Sequence, residues 1–357
     1  MEMLFKGLHV LDLSTVLAGP SVTTFFAELG ASVIKVENPL AGGDVTRSWK
    51  LKTEDESASV SAYFSSVNFG KNYESLDFTS HESRKHLEDL IKWSDLVVVN
   101  FKEGDDVKFG LSADDVHQLQ PRAVYAALKG FQSDSERIAY DVVLQAECGF
   151  MFMNGNSTSG PLKMPVALID VIAAHQMKEG ILCALLNRKE SGKGATVRVT
   201  LEEAALSALV NQASNYLMAG HIAQPTGSLH PNIAPYGETF LCSDSKSLVL
   251  AVGSNKQFRS LCSLLNIEGV YADVKYADNQ TRVTHRDELA LILQKAFANN
   301  TRDYWMAELI AKGIPSGAIK SMDEVMTSTA AQTMIREEII DGRPTKRISS
   351  VAFKLEL

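Results

Sequence analysis

The chain has 357 residues, 45% of them hydrophobic and 22% charged, a balance that suits a folded protein of two domains and excludes disordered and fibrous classes. Its formal net charge of -8 argues against a general grip on nucleic acid, because neutralising phosphates takes a clustered excess of Lys and Arg. The four cysteines are scattered without a CxxC, the N-terminus lacks a signal-peptide pattern, and no apolar run approaches the ~18 residues of a membrane span, so a cytoplasmic protein with reduced thiols, no metal site and no membrane partner is expected.

The first elements follow a clear rhythm. HVLDLS reads as a strand, TVLAG as a loop, and PSVTTFFAELG as a helix with Pro20 at its first position and Gly30 as a left-handed stop. ASVIKVE is a second buried strand. SRKHLEDLIKWS with DLVVVNF, and ADDVHQLQ with RAVYAALKG, repeat the helix-strand pattern, which predicts a doubly wound parallel α/β domain over roughly the first 200 residues. From Asp170 to about Arg188 the apolar positions fall on one helical stripe that SGKG ends. ATVRVTL returns as a strand and EEAALSALVNQASNYLMAG as a single helix, before the turn-rich IAQPTGSLHPNIAPYG marks a boundary. Beyond it ETFLCSD and SLVLAVG form a hairpin-like pair, HRDELALILQKAFANN and RDYWMAELIAKG are amphipathic helices, and REEIIDGRPTKRISSVAFKLEL reads as strands around a Gly turn.

Several familiar signatures are missing. No GxGxxG follows the first strand, although Glu37 stands where a ribose-binding acid is expected, so dinucleotide binding is not supported. FGKN at 69–72 has neither the first Gly nor the Ser or Thr of a phosphate loop, and there is no GxSxG or HExxH. What stands out is Asp170, a lone carboxylate in the apolar run PVALIDVIAAHQ. One reading makes it the N-cap of the helix behind it, worth about 1 kcal/mol. The other makes it a nucleophile, kept ionised by the same helix N-terminus. The two readings are compatible.

The series AGP, VIKVE, NFGKN, VNF, YDVVLQ, and an Asp followed by GIL and SGKG runs in one order along nearly the whole chain. It resembles the class III CoA-transferase family, which includes formyl-CoA and carnitine CoA-transferases and the related α-methylacyl-CoA racemases. The resemblance implies a Rossmann-like large domain from residues 1–205 with about 326–357, a linker helix and turn at 206–225, a smaller α+β domain at 226–325, and an interlocked homodimer. It implies that Asp170 attacks an acyl-CoA thioester and passes CoA to a carboxylic acid through an aspartyl anhydride and an aspartyl-CoA thioester, with acyl-CoA as substrate and no permanently bound cofactor. It further implies a CoA path along Leu17, Ala18, Asn38, Asn68, Phe69, Gly70, Lys71, Asn100, Phe101, Lys102, Lys108, Tyr140 and Asp141, with Lys71 and Lys108 offering charge to phosphate.

The departures from the family pattern bear on substrate. SLHPNIAPYG replaces the glycine-rich loop of formyl-CoA transferases, which disfavours a formyl or oxalyl role. Asn38 lacks the charge, and Lys108 the bidentate guanidinium, of some relatives. His175, where many members have Gly, is either a packed core histidine or part of the acyl pocket, and the chain ends at VAFKLEL without the longer tail of many members. Racemases carry a His directly before the Asp of the YDVVLQ segment, and Tyr140 stands there instead; a phenol of ordinary pKa near ~10 is a poor base at neutral pH. Transfer therefore ranks ahead of racemisation; a non-catalytic CoA-binding homologue is a third reading, against which the retention of Asp170 speaks.

Overall fold

The computed structural model describes residues 4–132 and 137–356, and these group into two compact units. The first comprises the chain up to Met151, Lys163–Ala223, and Thr329 onward; the second comprises Phe152–Leu162 and Gln224–Ser328. Residues 152–162, expected inside the large domain, cluster with the second unit instead.

The first unit is built on a six-stranded sheet of β1 (His9–Leu13), β2 (Ser32–Glu37), β3 (Lys71–Ser75), β4 (Leu96–Val99), β5 (Val124–Lys129) and β6 (Ala195–Thr200). Every pairing is parallel and the spatial order is β3-β2-β1-β4-β5-β6. The strands are near-continuous apolar runs because both faces are covered, as parallel sheets require. Alternation divides their side chains. Val10, Val33, Leu96, Val98, Val124 and Ala126 pack on one face under α1 (Ala18–Glu28) and, later in the chain, the long helix Leu168–Ser191. Leu11, Leu13, Val97, Val99 and Tyr125 pack on the other under α2 (His81–Trp93) and α3 (Ala113–Leu119). Each buried Val or Leu contributes about 1.5–3 kcal/mol.

Two helix boundaries differ from the sequence reading. Helix α1 begins at Ala18, so Pro20 occupies its third position; an N–H there would have no intrahelical partner either, and proline is tolerated for the same reason as at the first position. After α4 (Asp141–Glu147) and α5 (Leu168–Ser191), the single helix expected over 202–220 is two, α6 (Leu201–Ser207) and α7 (Val210–Ala219), divided where Val210 takes φ 39°. None of the residues of α7 is buried, and Leu217 and Met218 are 78% and 87% exposed.

The second unit packs α8 (Asn255–Leu264), α9 (Arg286–Phe297) and α10 (Arg302–Ala311) with a three-stranded antiparallel sheet. Its strands are β7 (Tyr236–Leu241), β8 (Ser247–Ala251) and β9 (Ser316–Ala318), around a core of Phe240, Phe258, Phe297 and Trp305. The chain then returns to the first unit as a hairpin, β10 (Ile335–Ile340) and β11 (Arg343–Ile348), turned by Asp341-Gly342 with both φ angles positive. Among the described residues no helix is long and apolar enough to cross a membrane.

Candidate active site

A cavity of about 440 Å³ opens in the first unit at the carboxyl ends of β1, β4 and β5. Its walls are residues 15–18, 100–103, 128–131 and 137–140, with Asp105, Asp170 and Leu201. The order of strands reverses between β1 and β4, and the loops leaving these two strands part in opposite directions, which is where open parallel sheets bind ligands.

Asp170 is the third residue of α5, in its first turn, and not its N-cap; the cap position is Ala167, whose side chain makes no capping bond. The capping is done from another element. Asp141, the first residue of α4, accepts the Ile169 N–H on Oδ1 at 2.7 Å and the Gln145 Nε2 on Oδ2 at 2.6 Å. Gln145, fully buried, in turn accepts the Met164 N–H at 2.8 Å on Oε1. The start of α5 is thus held without using Asp170, whose carboxylate has no hydrogen-bond partner among the described residues and reaches the cavity.

This arrangement sets the electrostatics. Burial first, and the neighbouring Asp141 carboxylate second, push Asp170 up to about 7. The helix N-terminus, expected to keep it ionised, is outweighed, because desolvation and a like charge both favour the neutral acid. Tyr63 feels the same field: burial, Asp170 and Asp141 together push its hydroxyl up to about 12.

The residues expected along the CoA path divide. Leu17, Ala18, Asn100, Phe101, Lys102 and Tyr140 line the cavity with Asp170. Asn100 does so while holding a loop, its Oδ1 accepting the Thr15 N–H at 3.0 Å and its Nδ2 donating to the Thr15 carbonyl at 2.8 Å. Asp141 lies behind the wall as the cap just described. Lys71 is a correction. It is buried, and its ammonium donates to Asp12, the Pro20 and Val67 carbonyls and Asn68 within 3.0 Å, leaving no proton for a phosphate. Burial would raise Asp12, but Lys71, Lys35 and the Ser14 hydroxyl outweigh it and hold the carboxyl well below its usual range. Asn68 is spent on Lys71 and the Phe64 carbonyl, the Gly70 N–H donates to Glu338, and Phe69 lies under the Arg347 guanidinium. Asn38 caps a short turn by accepting the Leu40 N–H, and Lys108 is exposed beside the Phe109 ring; neither borders the cavity. His175 is exposed and does not line the cavity, so neither expectation for it fits.

Lys129 and Arg137, both in the wall, escaped the sequence reading. Lys129 pairs with Glu103; Arg137 pairs with Glu147 and stacks over Phe131 at 4.4 Å. Lys129 is the last residue of β5 and Arg137 lies beyond its carboxyl end, and that position was the signal available for them.

The sequence profile of CoA-transferase family III matches residues 5–355. This chain belongs to that family. It is 36% identical over 343 residues to an acyl-CoA transferase of Fusarium pseudograminearum, covering 94% of this chain and 74% of that one. It is 34% identical over 334 residues to a succinate-glutarate CoA-transferase of Agrobacterium fabrum, covering 92% of this chain and 82% of that one. Among solved structures, a CAIB/BAIF family protein from Brucella suis superposes with a TM-score of 0.88 at 32% identity, covering 99% of this chain and 93% of that one. The family III chain described here is therefore an enzyme of CoA transfer, with a mixed α/β fold on a parallel central sheet.

Proposed function

We propose that this enzyme moves CoA from an acyl-CoA donor to a dicarboxylic acid through covalent catalysis by Asp170. The observation that carries the reading is the free Asp170 carboxylate, facing the cavity while Asp141 does the capping. The carboxylate attacks the thioester carbonyl carbon, the C–S bond breaks, and CoA leaves as thiolate from a mixed anhydride. The thiolate then attacks the aspartyl carbonyl of that anhydride, releasing the donor acid and leaving an aspartyl-CoA thioester. An acceptor carboxylate repeats the two steps in reverse order and restores Asp170. Thioester free energy is conserved, and water must be kept from the anhydride.

Lys102 suits a phosphate of CoA, and Lys129 and Arg137 can join it by exchanging Glu103 and Glu147 for phosphate oxygens. Leu17, Ala18, Asn100, Phe101 and Tyr140 shape the path toward Asp170. The naming of the Agrobacterium relative for succinate and glutarate supports short dicarboxylates as the first acids to try. Racemisation by a His and Asp pair is disfavoured, since no histidine is among the described lining residues. We further assign the first unit, with its Rossmann-like sheet, to CoA binding, and place the enzyme in the cytoplasm as a homodimer whose contact includes the exposed apolar face of α7.

The test is exchange itself. With succinyl-CoA and glutarate, wild-type enzyme is expected to form glutaryl-CoA, followed by liquid chromatography and mass spectrometry. Asp170→Ala should lower the rate roughly a thousandfold or more, because it removes the carboxylate proposed to carry the acyl chain. An unimpaired Asp170→Ala variant would overturn the covalent reading.

A further inference from the structure

The loop between β1 and α1 carries a residue in an unfavourable conformation. Val16 has φ 73°, which a β-branched side chain adopts only under constraint. Five polar backbone groups beside it, the N–H and carbonyl of Ser14 and of Thr15 and the Val16 N–H, are held by side chains. The Ser14 N–H and hydroxyl both donate to Asp12 Oδ1, at 3.0 and 2.5 Å. The Ser14 carbonyl accepts Lys35 Nζ at 2.6 Å. Thr15 is bound on both sides by Asn100, and the Val16 N–H donates to Asp44 Oδ1 at 3.3 Å. Gly19 completes the fit: a Cβ there would lie 2.4 Å from the Ser14 side chain.

Of these holders only Asn100 lines the cavity; Asp12, Lys35 and Asp44 do not. Lys35 on β2 and Asp44 after it are fully buried and joined by an ion pair of 3.1 Å. Asp44 also accepts the Thr46 N–H and hydroxyl and donates its own N–H to Glu37. The pair therefore ties the loop on β1 to the turn that follows β2. The residues so fixed, 15–18, are one wall of the cavity that holds Asp170.

We infer that Lys35 and Asp44 are positioning residues, which hold Val16 in its left-handed conformation and so keep the 15–18 wall shaped for acyl-CoA. This rests on the acyl-CoA reading given above. The role predicts a defect in binding and not in the chemical step, since neither residue reaches Asp170.

The test is a double-mutant cycle on the intact enzyme. Lys35→Met with Asp44→Asn removes both charges together and leaves no lone buried ion. Its KM for acyl-CoA is expected to rise roughly tenfold with kcat within about twofold of wild type. Made in a Val16→Gly background, the same pair of changes should raise KM only about twofold over Val16→Gly alone, because glycine takes positive φ without the side-chain cost. An equal rise in both backgrounds, or no rise in either, overturns the inference. Should the pair variant fail to fold, Asp44→Glu keeps the charge beside Lys35 while displacing the oxygen that accepts the Val16 N–H, and is expected to show a smaller rise, about threefold, that again shrinks with Val16→Gly. Calorimetric titration of the wild type with CoA separates the two levels. Binding together with an additive cycle overturns the positioning role alone, whereas a wild type that neither binds nor transfers CoA overturns the acyl-CoA reading and this inference with it.

Discussion

At the scale of single residues, Asp170 is a group whose fold works against its own charge. Its pKa is raised in the folded state from 3.8 to about 7, so stability is fully present at acid pH and is lost as pH rises from about 4 through 7. Asp170→Asn is therefore expected to stabilise the enzyme at pH 8, on the order of 2 kcal/mol once partial exposure is allowed for, and to change little at pH 4. Paired urea melts at the two pH values check this, and equal effects at both would refute it. The buried pair Lys71–Asp12 is the opposite case, a structural ion pair at 2.9 Å. Lys71→Met strands Asp12 in a dry interior and is expected to cost about 3–5 kcal/mol in a denaturant melt. A loss of CoA affinity with unchanged stability would instead return Lys71 to the ligand path. Asp170 was legible in the sequence because a carboxylate in an apolar run needs a local reason. The use of Lys71 was not, because a lysine whose acceptors come from 3, 4, 51 and 59 positions away looks in one dimension like a surface charge.

At the scale of elements, the start of α5 depends on α4. Asp141 caps the helix through the Ile169 N–H and, as a neighbouring carboxylate, helps burial to raise the pKa of Asp170. The ionised fraction of Asp170 grows through pH 7, so kcat/KM should rise with pH about that midpoint. Asp141→Asn keeps an oxygen for the Ile169 N–H and removes the charge, and should move the midpoint downward; a pH-rate profile reads this directly. A midpoint that stays fixed would show that burial alone sets it. Sequence periodicity placed α5 well but misassigned its cap. A cap supplied 28 positions upstream leaves no local pattern, and Asp170 has the residue type and place that an N-cap would have. The division between α6 and α7 was equally hidden, since Val210 at positive φ breaks a stretch that is otherwise good helix.

At the scale of the whole molecule, the parallel sheet could be read from three repeats of helix and strand, because strands covered on both faces must be continuously apolar. Its order could not, since adjacency between β1 and β4 depends on pairings across 86 residues. That order makes the crevice, and the crevice gathers loops from three strands around Asp170. The exposed apolar face of α7 belongs to this scale too. Replacing Leu217 and Met218 with Asp should convert the expected dimer to monomer in light scattering; a wild type already monomeric at assay concentration would refute the assignment.

The central claim is that Asp170 carries the acyl group and then CoA. The most direct measurement is peptide mass spectrometry of the enzyme after incubation with acyl-CoA and quenching with hydroxylamine. The expected result is a hydroxamate on Asp170 that disappears in Asp170→Asn. An enzyme that turns over while the peptide bearing Asp170 stays unmodified would contradict the account.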